Sequence, residues 1–222
     1  MKQTTFSELK EQIEEWSRLD YINPKDIPAI ELYMDQVTTF MDRQLGDNKR
    51  NPEDKILTKT MINNYSKNNL LPPSDKKKYS RDHIILLTYI YYLKNFLSIS
   101  DIQHLLQPMT DSYFQRDTVP DMYSIYEDLF HLEQSYGIRI RESVQEIYEI
   151  ADQQFCDKDD YLKTFAMIAM LSYDIYAKKQ LVEKLIDSFH SEPPTKAELR
   201  EARDLTRQKE KQARTRGQTE KK

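Results

Sequence analysis

The chain has 222 residues, enough for one large or two small hydrophobic cores, and carries 33 Lys+Arg against 37 Asp+Glu. Three glycines leave few positions for the positive-φ turns of a hairpin-rich fold, and a single cysteine excludes an internal disulfide; a mainly α protein of a reducing cytoplasm is expected. No apolar run approaches the ~20 residues that cross a bilayer, and MKQTTFSELKEQIEEW has no signal-peptide apolar centre, so no membrane partner is expected.

Thr5-Phe6-Ser7-Glu8 has capping-box spacing, and Phe6, Leu9, Ile13 and Trp16 then share one helical face. Asn23-Pro24 and Ile27-Pro28 interrupt. A helix is predicted over 29–45 with Leu32, Tyr33, Val37, Phe40 and Met41 inward, then a loop over 46–54. The next helix, 57–67, takes Thr58 as its N-cap. Residues 70–80 hold too many prolines for a helix. Ser80 caps a further one with Ile84, Leu87, Ile90, Leu93 and Leu97 as its core stripe. Ser98 to Asp101 form another capping box, with Ile102, Leu105 and Leu106 inward, and Pro108 is read as the end of that helix.

Three more helices are predicted. The first covers 121–136 and stops at Gly137; the second carries Ile140, Val144, Ile147, Tyr148, Ala151 and Phe155; the last runs over 160–189. The apolar run Phe165 to Leu171 reads as buried, and a helix that long, ~45 Å, suits a bundle spine or the seam of a homodimer. Pro193-Pro194-Thr195 leads into a charged tail too poor in large apolar residues to offset its ordering entropy. The expected divisions are an N-terminal helix and linker (1–28), a helical domain (29–107), an acidic helical domain for oligomerisation or an effector (108–190), and a disordered tail (191–222).

Charge is unevenly spread. Residues 50–106 hold nine Lys+Arg and five Asp+Glu, and the tail from Ser191 holds ten and six, so each is +4 within a chain of net charge −4. The basic middle contains the most unusual stretch, MINNYSKNNLLPPSDKKKYS (61–80). On its helix Met61, Ile62 and Tyr65 share one side, while Thr60, Asn63, Asn64 and Lys67 share the other. Asparagine is a mediocre helix former, so an amide-rich polar face is costly for mere solubility. In a major groove Asn can bond an adenine edge bidentately, and Lys and Thr can reach phosphates. Asn68 and Asn69 read more simply as the unwinding of the helix end, with Asn69 left-handed. Leu70-Leu71-Pro72 and Lys77-Lys78-Tyr79 are read as two arms of a hairpin with Ser74-Asp75-Lys76 at its tip, carrying Lys76, Lys77 and Lys78 toward phosphates.

Taken in order, Tyr65, Leu70-Leu71-Pro72-Pro73, Lys77 and Tyr79, Leu93-Lys94, Leu97-Ser98-Ile99 and Ile102 to Leu106 resemble the DNA-binding domain of MerR-type winged-helix regulators. The layout, with LYMDQVTTF upstream and LTKTMINNYSK downstream, is also similar to a bacterial family of MerR-like proteins without an assigned function. The resemblance implies a winged helix-turn-helix over 29–107, double-stranded DNA as partner, and Lys59, Thr60, Asn63, Asn64, Lys67, Lys76, Lys77, Lys78 and Tyr79 at the interface. Asn63-Asn64 stand where the family usually has Arg-Tyr, and Lys77 stands for its wing Arg. Asn63 and Asn64 are then the base contacts of a transcriptional regulator. The rival is a protein-interaction module on the same scaffold. An enzyme is the weakest reading: no Gly-rich phosphate loop or zinc spacing occurs, His83, His104, His131 and His190 are scattered, and Glu142, Glu146 and Glu149 lack a Glu-x-x-His companion. No cofactor and no metal is expected. Tyr123, Tyr126, Phe130, Tyr136 and Tyr148 are candidates for core or for a ligand pocket.

Overall fold

The computed structural model describes residues 5–15 and 21–189; Trp16, His190 and the 191–222 tail lie outside them. Residues up to Glu183 form one compact unit, and the described part of the second, 184–189, is helical through Ser188. The chain is mainly helical: α1 (Phe6–Glu15), α2 (Met34–Leu45), α3 (Lys59–Lys67), α4 (Arg81–Leu93), α5 (Ile99–Tyr113), α6 (Met122–Gln154) and α7 (Asp160–Ser188). Two short strands, β1 (Leu32–Tyr33) and β2 (Lys78–Tyr79), pair antiparallel with Leu32 opposite Tyr79 and Tyr33 opposite Lys78.

Helix starts follow side-chain caps, each worth about 1 kcal/mol. Thr5 N–H donates to Glu8 Oε2 (2.7 Å) and Glu8 N–H to Thr5 Oγ1 (3.3 Å). Thr58 Oγ1 accepts Met61 N–H at 3.1 Å, opening α3. Ser98 Oγ accepts Asp101 N–H at 3.1 Å while Asp101 Oδ2 accepts Ser98 N–H at 3.3 Å, opening α5. The helix expected from Ala29 instead begins at Met34. Tyr33 N–H donates to Gln36 Oε1 (2.8 Å), and Leu32 and Tyr33 are extended because they pair with β2. Leu32 is buried and Tyr33 exposed, the alternation of a strand and not a shared helical face.

The larger core surrounds α4, buried from His83 to Thr88 on all sides. Val37 and Met41 of α2, Ile62 of α3 and Ile102 of α5 are each fully buried. The first turns of α6 close it: Met122 and Tyr126 are buried, and the Tyr126 hydroxyl donates to the Ile22 carbonyl at 2.6 Å. A smaller core joins Phe6 of α1, Tyr148 and Ala151 of α6, and Met167 of α7. Phe6 stacks on Tyr148 (centroids 4.4 Å apart, planes within 7°), and its N–H donates to Asp160 Oδ2 at 3.2 Å.

Three helical expectations are corrected. Pro108 lies inside α5, which continues to Tyr113; the ring is exposed, where a missing N–H leaves no buried group unpaired. Gly137 lies inside α6, one helix of 33 residues in place of two. A single interior glycine costs about 1 kcal/mol relative to alanine, too little to break a helix anchored at both ends. Of the run Phe165 to Leu171, only Met167 is buried; Phe165 and Ile168 are each 56 % exposed. The acidic segment's aromatics do not converge on one pocket either, since Tyr126 and Tyr148 occupy different cores and Tyr136 is exposed.

A Cβ at Gly137 would meet nothing within 4 Å. Gly137→Ala should therefore stabilise the protein by up to about 1 kcal/mol, read as a raised urea midpoint with unchanged slope. A lowered midpoint would contradict a continuous α6.

Candidate nucleic-acid interface

Helix α3 presents one clean division. Ile62 and Tyr65 are buried against the core, while Lys59, Thr60, Asn63, Asn64 and Lys67 are exposed. The helix end is fixed from behind. Leu70 and Leu71 N–H both donate to the Tyr65 carbonyl (2.8 and 3.2 Å), across Asn69 at φ 55°. The left-handed residue and two bonds to one carbonyl turn the chain so that Leu70 and Leu71 enter the core.

The basic turn follows, in a form that differs from the expected hairpin. Lys78 N–H donates to the Asp75 carbonyl at 2.7 Å, and Lys76 (φ 47°) and Lys77 (φ 65°) form the tip. Two consecutive positive φ angles match the signs of a type I′ turn, so the tip is one residue later than expected. The strand leaving it pairs with β1, not with Leu70 to Pro72. Long-range pairing replaces the local one because Leu70 and Leu71 are already bonded to α3.

The sequence-selected residues divide accordingly. Lys76 and Lys77 are exposed at the tip. Lys78 is half-buried, 3.9 Å from Glu31 Oε2 and 5.7 Å above the Tyr33 ring. Lys59 ion-pairs with Asp35. Tyr79, expected among the contact residues, is only 5 % exposed and packs edge-on to His83 with centroids 5.3 Å apart. Glu31 and Asp35, the acidic partners, escaped the sequence reading, since nothing in the spacing links them to lysines 47 and 24 residues later. Both pairs are solvent-exposed and worth about 0–1 kcal/mol, weak enough for a phosphate to displace.

Beneath the turn, His83 occupies the third position of α4. Its Nδ1 accepts Ser80 N–H at 3.0 Å, so the ring is neutral there and carries its proton on Nε2. Tyr79 and Phe114 face it edge-on (5.3 and 4.8 Å). Burial holds its pKa below the ordinary 6.5, opposed by the nearby Pro73 and Pro72 carbonyls and by Glu31. Ser80 was legible as a cap, but the part and the burial of His83 were not. Behind the turn, Asn69 to Pro73 and Gln103, Leu106, Gln107 and Thr110 of α5 border a cavity of about 410 Å³ with no titratable lining group, so it offers no acid–base chemistry. Among the described residues no cluster of three or more His, Cys, Asp or Glu could hold a metal ion, and no helix is long and apolar enough to cross a membrane.

Because the folded His83 resists protonation while the unfolded one titrates near 6.5, its contribution to stability is complete above that pH and declines as the pH falls through it. His83→Gln, which keeps an acceptor without titrating, should flatten that part of the stability–pH curve measured by urea unfolding. An unchanged slope would show that His83 is not the responsible group.

No curated protein and no solved structure matches the chain. Residues 22–129, from the buried Ile22 to the early turns of α6, match the model of a family described as a domain of unknown function (DUF1836).

Proposed function

We propose that this protein binds double-stranded DNA sequence-specifically as a bacterial transcriptional regulator, with α3 in the major groove and the Lys76–Lys77 turn against phosphates. The observation that carries this reading is the outward stripe of Thr60, Asn63, Asn64 and Lys67 on a helix whose opposite face is buried. Amides projecting from a helix fixed on its rear are the side chains that read adenine in a groove. The element order supports a MerR-like winged helix-turn-helix: α2, α3, a basic turn returning into β2, then α4 and α5. Glu31 and Asp35, four residues apart, pair with Lys78 and Lys59 respectively, so the turn and α3 border the same short segment.

The turn carries a further argument. Positions with positive φ favour Gly, Asn or Asp; lysine there costs about 1 kcal/mol each. Two such lysines at the tip exchange stability for charge, and strain of this kind accumulates where the side chain is needed. The rival, a protein-interaction module, is favoured by the net charge of −4 and by the two acidic residues paired to the lysines.

Selection of bound duplexes from a random pool tests the proposal. Enrichment of a motif is expected, with affinity falling steeply as salt rises. Asn63→Ala should cost about 1–3 kcal/mol on the selected motif and relax preference at one or two positions, while Lys77→Ala weakens all sequences alike. Lys76→Asn with Lys77→Gly should move two readouts in opposite directions, raising the free energy of unfolding by about 1–2 kcal/mol and weakening DNA binding. No enrichment at low salt from folded protein would end the DNA reading.

A further inference from the structure

Gln103, Leu106, Gln107 and Thr110 lie at helical offsets of zero, three, four and seven, so they share one face of α5. That face and the segment Asn69–Pro73 are the two walls of the cavity of about 410 Å³ behind the turn. Leu70, Leu71 and Leu106 are buried and make its floor apolar. Gln103 and Thr110 are half-buried, and Asn69 and Gln107 are exposed at its rim. Both walls are fixed in advance. The Leu70 and Leu71 N–H bonds to the Tyr65 carbonyl hold one, and the helix itself is the other. Pro72 and Pro73 add rigid rings to the first wall and, lacking N–H, offer carbonyl acceptors only. The volume falls within the roughly 300–1,000 Å³ of small-molecule sites.

The lining narrows the ligand. None of its residues is charged, so a phosphate or carboxylate meets no cation there and an ammonium meets no carboxylate. A wholly apolar ligand would cover the amides of Asn69, Gln103 and Gln107 without pairing them, at a cost of about 1–3 kcal/mol for each group buried. Gln107 Nε2 donates to Asp111 Oδ1 at 2.8 Å, which leaves its Oε1 to accept from a ligand. Side-chain amides pair bidentately with an edge that carries a donor beside an acceptor, and leucine and proline surfaces pack against a flat ring. We propose that this cavity binds an uncharged, flat heterocycle with donor and acceptor on one edge, the chemistry of a nucleobase or nucleoside. The bound ring lies between α5 and the arm of chain that leads to the Lys76–Lys77 turn.

The proposal does not rest on DNA binding, and its assays contain no DNA, so the two readings fail separately. Adenosine and uridine, both uncharged at neutral pH, are the probes. Ligand-detected NMR and calorimetry on the full chain should show at least one of them bound at millimolar concentration or below, at one site per chain. Ribose alone should not compete, and a 5′-phosphate on the nucleoside should not tighten binding. Gln103→Leu, which removes one lining amide, should weaken binding about tenfold. Thr110→Trp, at the half-buried mouth, should fill the space and abolish it, with helicity by circular dichroism unchanged. Should Thr110→Trp fail to fold, Gln103→Leu decides. Binding of neither probe, equal binding of ribose, tighter binding of the 5′-phosphate, or undiminished binding by either folded variant would each overturn the proposal.

Discussion

Two residue pairs set the geometry on which the candidate interface depends. Leu32 against Tyr79 and Tyr33 against Lys78 tie the segment entering α2 to the segment entering α4. Everything between them, including α3 and the lysine turn, is thereby a closed loop of chain with both ends fixed. Closing a loop of that length costs several kcal/mol of entropy, more than two strand pairs return alone. Burial of Leu32, Tyr79, Ile62 and Tyr65 beneath the loop supplies the remainder. The amide stripe therefore faces outward because Ile62 and Tyr65 on its reverse are buried and the loop's two ends are paired, and no property of the asparagines themselves is required.

Local chemistry was legible in the sequence and long-range competition was not. The caps at Thr5, Thr58 and Ser98 stand where short-range spacing puts them, because each involves groups three residues apart. The left-handed Asn69 was equally legible, as was the division of α3 into a buried and a polar face. Pro108 and Gly137 were overweighted. Each carries a local penalty, and whether a helix ends there depends on its surroundings: the Pro108 ring is exposed, and beyond Gly137 the Phe6–Tyr148 core anchors the far end of α6. The strand nature of Leu32-Tyr33 lay further out of reach: its partner is 47 residues away at Tyr79, and the alternation of a two-residue strand is too short to distinguish from a helical face.

The same distinction explains α7. Its apolar run suggested burial, and composition alone cannot say whether the covering surface comes from the same chain. Helix α6 has the corresponding property in its middle, where Leu132, Tyr136 and Ile138 are 51–64 % exposed between the two cores it connects. The two cores, and not these exposed residues, hold α6 and α7 in place.

Charge bears on the DNA proposal in a way that net charge does not. The lysines at the turn tip are exposed and, among the described residues, have no acidic residue paired to them, whereas Lys59 and Lys78 are matched by Asp35 and Glu31. A phosphate approaching the turn would meet Lys76 and Lys77 directly, and gain Lys59 or Lys78 only by displacing a carboxylate. Such displacement lowers nonspecific affinity, since every duplex must overcome it. It lowers specific affinity by the same amount, so the ratio between them is left to Asn63 and Asn64. Weak overall attraction combined with amide contacts gives a binder that dwells only where the bases match, which suits an acidic protein with a small basic surface.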